Sequence, residues 1–270
     1  MDALELADDW PVDRVAVGVT TPSATLGTRG APDAVLAWAS LTKLVTAYTV
    51  LMVVAEGIAE LDEPAGPEGA TLRHLLAHAS GLPLDGDEPI SRPGSRRIYS
   101  NGGYAMLGEH LAERTGIGFA ELATENVLEP LGMDATTFAG SPAAGVEGPL
   151  VDLLALAREF QEPALVPHEL VAEATSVQFE GLGGVLPGFG RQEPNDWGLG
   201  FEIRDGKDPH WTGSRNAPST FGHFGLAGSF NWVDPDERVA CSGLADREFG
   251  AWAERAWPEL SDAVLAELED

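Results

Sequence analysis

This chain of 270 residues has one cysteine and two lysines, and its 16 basic residues stand against 43 acidic ones, a formal net charge of −27. The lone Cys241 cannot close an internal disulfide, so no cross-linked scaffold holds the fold. It sits in the strand-like Arg238-Val239-Ala240-Cys241-Ser242-Gly243 and reads as a small buried side chain, not a nucleophile. The shortage of positive charge argues against nucleic acid and anionic membranes as partners, because both bind through basic protein surface. Long apolar runs are missing as well. The longest, around Leu44 to Ala55, is too short to span a bilayer and carries Thr and Tyr, which marks it as a core helix. The first ten residues, Met1 to Trp10, have neither a basic leader nor an apolar centre, so the expectation is a cytoplasmic protein without a secretory signal. With no internal repeat and an apolar fraction of 44%, the chain has the composition of a globular protein.

Scarcity gives Lys43 its meaning. It lies three residues after Ser40 in Ala37-Trp38-Ala39-Ser40-Leu41-Thr42-Lys43, at the mouth of the longest apolar helical run. That spacing predicts Ser40 on the first turn of a buried helix with Lys43 one turn later on the same face. A serine hydroxyl is a poor nucleophile until a base takes its proton, and a lysine becomes such a base when burial disfavours its ammonium form. The helix N-terminus would offer backbone N–H groups to an oxyanion forming beside Ser40. An exposed lysine near a helix start is ordinarily just solvated, so the motif needs partners.

Two follow in order. Arg97-Ile98-Tyr99-Ser100-Asn101-Gly102-Gly103-Tyr104 carries a Tyr-x-Asn triplet ahead of an apolar helix, and Phe221-Gly222-His223-Phe224-Gly225-Leu226-Ala227-Gly228-Ser229 carries a glycine-flanked His-x-Gly leading into an alternating strand. Ser-x-x-Lys, Tyr-x-Asn and His-x-Gly in this order resemble the serine beta-lactamase and penicillin-binding-protein superfamily, on its class C beta-lactamase, D-alanyl-D-alanine peptidase and esterase side. Leu72-Arg73-His74-Leu75-Leu76-Ala77-His78-Ala79-Ser80-Gly81-Leu82-Pro83, Glu129-Pro130-Leu131-Gly132-Met133 and Trp197-Gly198-Leu199-Gly200-Phe201 are similar to further landmarks of that superfamily, so the likeness runs over about residues 35 to 245.

The resemblance implies an acyl-enzyme on Ser40, Lys43 as acceptor or relay of its proton, and Tyr99 as proton shuttle, with the Lys43 charge expected to lower the Tyr99 pKa. Asn101 would order Lys43 and the substrate. Gly225 would permit close backbone approach, and the N–H of Leu226 would join that of Ser40 as an oxyanion hole. His223 stands where many members carry the Lys of a Lys-Thr-Gly triplet. A histidine is only partly charged near neutral pH and suits hydrogen bonding, which shifts the likeness toward the esterase and D-amino-acid amidase branches. Each residue keeps a plainer reading: Tyr99 as a core tyrosine, Asn101 as a turn residue, His223 as a strand-end histidine.

The fold expected is α+β, beta-lactamase/transpeptidase-like: one domain with an antiparallel sheet flanked by helices, an α/β lobe from about 1–55 and 191–270, and a mainly helical lobe over about 56–190. Strands are predicted near 14–19, 24–27, 201–203, 228–233 and 238–244, with Asp234 to Glu237 as a hairpin turn. Helices are predicted over 101–115, 119–128, 151–160 and 249–268, the last breaking at Pro258. His74 and His78, four apart on one helical face, match a two-histidine metal spacing but lack the acidic residue of a zinc protease motif and read as structural. Ser80 reads as a turn residue, and Asp85-Gly86-Asp87-Glu88 as a solvated loop able to border the cleft. Trp38, Trp197, Trp211 and Trp232 either line an apolar acyl pocket or pack in the core. The function expected is a serine hydrolase acting on a small-molecule ester or amide, with no cofactor or metal implied. The alternatives are a beta-lactamase or D-alanyl-D-alanine carboxypeptidase, and a non-catalytic binding protein that keeps the fold.

Overall fold

The computed structural model describes residues 1–269. After a 3-10 helix over Asp2–Asp9, strands β1 (Val15–Thr20) and β2 (Thr25–Gly30) form a hairpin. A short β3 (Leu36–Ala37) and a 3-10 turn, Ala39–Leu41, lead into helix α1 (Thr42–Ala55). Helices α2 (Leu72–Leu76), α3 (Asn101–Thr115) and α4 (Phe119–Ala123) follow, the last running into a π-helical turn, Thr124–Leu128. The chain then makes β4 (Thr137–Phe138), β5 (Val146–Gly148), α5 (Leu150–Gln161), α6 (His168–Ala174) and the hairpin β6 (Gly184–Leu186) with β7 (Gly190–Gln192). It ends with β8 (Glu202–Ile203), β9 (Phe221–Gly225), β10 (Ser229–Asp234), β11 (Val239–Ala245) and α7 (Ala253–Glu269).

The main sheet has the order β2-β1-β11-β10-β9-β8, so the two ends of the chain close one sheet, as the recurrence of alternating segments predicts. Its pairings are antiparallel, and the β10–β11 hairpin pairs Asp234 with Val239 across the turn predicted there. Period-two alternation splits the side chains between two cores. Val17, Val19, Phe230, Trp232, Val239 and Cys241 meet Trp257, Leu260 and Val264 of α7. Ala16, Val233, Ala240 and Leu244 belong to the other core, with α1 and α5. Packing of α5 on β1 is close: a Cβ at Gly18 would lie 2.9 Å from the Leu154 side chain.

Helix α1 is apolar on every side and buried on every side. Leu44, Val45, Ala47, Tyr48, Val50, Leu51 and Val53 are all inaccessible to water, which places this helix at the centre of the molecule rather than on a surface. Among the described residues no helix is long and apolar enough to cross a membrane.

Four expectations are corrected. Ser40 lies in the 3-10 turn ahead of α1, not in the helix itself. His223 is within a strand, β9, that the sequence pattern leaves unassigned. Helix α7 continues through Pro258, whose place one turn from the N-terminus costs a single ladder hydrogen bond while Trp257, Leu260 and Val264 hold the helix on the sheet. His74 and His78 do not share a helical face: α2 stops at Leu76, and His78 is left-handed, with φ +54°.

Candidate active site

The serine turn is built by strain and by anchoring. Ala39, just before Ser40, has φ +45°, a left-handed conformation that costs a non-glycine residue about 1–2 kcal/mol and turns the serine out of the helix axis. The turn is fixed from the sheet by Ser229 Oγ donating to the Trp38 carbonyl at 2.7 Å, and by the Val146 N–H donating to Thr42 Oγ1 at 3.0 Å. Lys43 projects from the first turn of α1 and is wholly buried.

Lys43 Nζ has three oxygen neighbours: Asn101 Oδ1 at 2.8 Å, the Ala143 carbonyl at 2.9 Å and Ser40 Oγ at 3.3 Å. Burial lowers its pKa to about 7, with the Asp85 charge acting in the opposite direction. Near neutral pH a large share of the amine is therefore unprotonated. A neutral amine has two N–H groups and one lone pair. The carbonyl oxygens of Asn101 and Ala143 can only accept and take the two N–H groups, which leaves the lone pair for the Ser40 hydroxyl.

Tyr99 lies over the same amine, with Lys43 Nζ 4.8 Å from its ring centre. Burial pushes the phenol well above its ordinary value, against a hydrogen bond with Ser40 that works to lower it. The expected depression by Lys43 is thus overturned: desolvation dominates, and Tyr99 keeps its proton. His223 is buried, and burial followed by the Lys43 charge pushes it down to about 3, so this ring is neutral rather than partly charged. Its Nδ1 faces the Phe224 carbonyl at 2.6 Å, which assigns the proton to Nδ1 and leaves Nε2, 3.4 Å from the Tyr99 hydroxyl, to accept.

The segment carrying Tyr99 and Asn101 is pinned from below. Arg97, buried, donates to the carbonyls of Asn195 at 3.0 Å, Ala77 at 2.5 Å and Gln178 at 2.7 Å. The left-handed His78 accepts the Ser100 N–H at Nδ1, 3.2 Å away, and lays its ring against Tyr99 at 4.5 Å between centres. Strand β9 closes the other side: Gly225 lies so near the serine turn that a Cβ there would be 2.4 Å from the Trp38 carbonyl oxygen and 3.1 Å from Ser40 N.

Ser40, Tyr99, Asn101, His223 and Leu226 line a cavity of about 310 Å³ whose remaining wall includes Leu84, Leu186, Phe224 and Phe249. Of the four tryptophans singled out, Trp197 reaches this cavity; Trp38, Trp211 and Trp232 are core. Glu202 also borders it, but its carboxylate is taken by Lys207, by His210 Nε2 at 2.9 Å and by Trp211 Nε1 at 3.0 Å. Burial pushes Glu202 up, yet His210 and Lys207 outweigh it and hold it at about 2, so the chain's second lysine serves a buried ion cluster.

Two site groups carry no sequence signature. Ala143 contributes a main-chain oxygen, brought in by a tight loop in which Gly140 and Gly145 nearly touch. Asp85, read as part of a solvated loop, accepts from Asn101 Nδ2 at 3.0 Å and so turns the amide oxygen toward Lys43. Because the Asp85 charge raises the Lys43 pKa, Asp85→Asn should move the acid limb of the pH–rate profile to lower pH, by less than about one unit for so exposed a charge. A limb unmoved or moved upward in steady-state kinetics would discard this coupling.

The beta-lactamase family model matches residues 13–266. The crystal structure of a beta-lactamase from Mycobacterium bovis has a TM-score of 0.97 at 49% identity, covering 98% of this chain and 99% of that one. EstCE1, described as a hydrolase with promiscuous acyltransferase activity, shares the fold at a TM-score of 0.81 and 15% identity, over 97% of this chain and 96% of its own. D-alanyl-D-alanine-carboxypeptidase/endopeptidase AmpH of Escherichia coli (strain K12) is 29% identical over 147 residues, which is 41% of this chain. The matched stretch spans 38% of that curated relative's length.

Proposed function

Because this chain belongs to the beta-lactamase family of serine hydrolases, we propose that it cleaves a small ester or amide through an acyl-enzyme on Ser40. The observation that carries this reading is the buried Lys43 amine, brought to about pKa 7 and held 3.3 Å from Ser40 Oγ with both N–H groups spoken for. Ser40 Oγ attacks the acyl carbon while its proton passes to Lys43 Nζ, and the N–H groups of Ser40 and Leu226 receive the oxyanion. As the bond to the leaving group breaks, Tyr99 gives its proton to the departing oxygen or nitrogen and takes one from Lys43 in return. Tyr99 is protonated at neutral pH and so has a proton to give, which a standing phenolate would not. Water then cleaves the acyl-enzyme by the reverse proton path. Asn101 keeps Lys43 aimed, and neutral His223 accepts from Tyr99 and keeps its hydroxyl aimed.

A second reading, hydrolysis of a beta-lactam or a D-alanyl-D-alanine peptide, is favoured by the likeness to the Mycobacterium bovis beta-lactamase and to AmpH. It is weakened by His223, whose neutral ring gives a substrate carboxylate no fixed positive charge. Hydrolysis of p-nitrophenyl butyrate and of nitrocefin, each by wild type and Ser40→Ala, with intact mass recorded for an adduct, separates the two. Ser40-dependent ester cleavage with little nitrocefin turnover is expected. Nitrocefin turnover of comparable efficiency would favour the second reading, and no turnover and no adduct with either substrate would leave a binding role.

A further inference from the structure

A second hollow of about 560 Å³ lies beside the Ser40 cavity, with Leu84, Tyr99 and Pro187 on the walls of both. Leu84, Ile90 and Val185 leave 51%, 59% and 59% of their surface in water. Single exposed aliphatic side chains are ordinary; three along one hollow beside a reactive site are the apolar patch expected of a ligand groove.

Arg96, Arg97 and Arg191 stand on the same walls. Arg97 is buried and spends its guanidinium on main-chain carbonyls, and Arg191 is paired with Glu193. Arg96 differs. It is exposed, has no carboxylate partner among the described residues, and makes one long hydrogen bond, 3.5 Å, to the Ile90 carbonyl. Of the three arginines on these walls, Arg96 is thus the one whose guanidinium is open to an incoming anionic group. The net charge of −27 repels anions at long range, so an anionic group gains at this surface only where a local cation receives it.

We propose that this groove receives the distal part of an elongated substrate, an apolar chain ending in an anionic group such as a carboxylate, with Arg96 as the residue that sets the preference. The inference rests on the reading of Ser40 as the acylated residue and narrows its substrate class to esters or amides with an apolar arm and an anionic end. The arm runs from the Ser40 cavity past Leu84 and Val185, and the charge meets the Arg96 guanidinium.

The test uses linear alkanoates of four to ten carbons and the matching neutral alkanamides, their affinities measured by calorimetry on the Ser40→Ala protein, which needs no turnover. In this background one chain length at least should favour the carboxylate over the amide by about tenfold or more. Adding Arg96→Ala should remove that preference and Arg96→Glu should reverse it, with amide affinity held within about twofold. A carboxylate-to-amide ratio that ignores both substitutions at every length, equal loss of both ligands, or no binding of either would overturn the proposal. Failure of the acyl-enzyme reading is seen separately, as the absence of a Ser40 adduct by intact mass, and leaves the calorimetric comparison intact.

Discussion

Replacing Lys43 by alanine should lower kcat for the substrate that Ser40 turns over by about 100- to 10,000-fold, the range over which a positioned general base acts. The size of the loss follows from how fully the site commits to one base. Tyr99 holds its proton far above neutrality, His223 has a free lone pair on Nε2 but is so weakly basic that it is protonated only near pH 3, and Glu202 is consumed by Lys207, His210 and Trp211. No neighbour of the serine stands ready to take over. Lys43→Met keeps the aliphatic stem in its buried slot and removes only the amine, so the same loss is expected with a far-UV spectrum and melting temperature close to wild type. A rate within about tenfold of wild type in the folded Met variant would assign the proton to another group.

The second large effect comes from a hydrogen atom. Gly225→Ala should lower kcat/KM by about 100-fold or more, because the new methyl would sit 2.4 Å from the Trp38 carbonyl oxygen and 2.4 Å from Ser229 Oγ. One of those neighbours is backbone and cannot swing aside, so β9 has to withdraw from the serine turn, carrying His223 and the Leu226 N–H with it. Displacements of about 1 Å in reacting groups cost on the order of 100-fold. The overpacking itself costs about 1–3 kcal/mol and should appear in the melting temperature. Gly118→Ala is the control: its φ is −60° and a Cβ there would meet nothing within 4 Å, so activity and stability should both stay near wild type. Equal activity for the two alanine variants would show that close approach at Gly225 has no part in the reaction.

The sequence disclosed those parts of the site that are side chains repeating a short spacing. Ser40 and Lys43 announce each other across one turn, and Tyr99 with Asn101 frames a helix start that the structure places at Asn101, capped by Ser100 accepting from Gly103 N. Strands β1 and β11, adjacent inside the sheet, were legible because Val15 to Val19 and Val239 to Leu244 are apolar wherever they are not small. Strand β9 was not, and the reason is physical. Gly222 and Gly225 lower its strand propensity, yet they are there because a Cβ at either would strike neighbouring backbone, 2.0 Å from the Asn231 carbonyl oxygen at Gly222. Strands of two or three residues, such as β3, β4 and β5, are too short to show a period.

Contacts made through the main chain or across a turn stayed hidden for a different reason. The Ala143 carbonyl has no residue-type signature, and Asp85 looks like any acid of a polar loop until the fold brings Asn101 to it. Direction of charge effects was also out of reach for Tyr99. Proximity to Lys43 was foreseeable, but the depth of burial that outweighs it is a property of the packed site, where the His78 and Trp197 rings close around the phenol. The same burial brings Lys43 near neutrality, as expected from its place at the end of an apolar helix.

The most direct test is the pH dependence of acylation in the wild-type protein, followed as the p-nitrophenol burst from p-nitrophenyl butyrate at the isosbestic wavelength of the product. With Lys43 as the base, the reactive form is the neutral amine, so the rate should rise with pH through a single ionisation near 7 and level off above it. His78 and His223, both held below the ordinary histidine range, and Tyr99 and Tyr104, both held above the ordinary phenol range, should contribute no limb in that window. A rate constant flat from pH 5 to about 9, or one that falls as pH rises through 7, would contradict a neutral Lys43 as the group that activates Ser40.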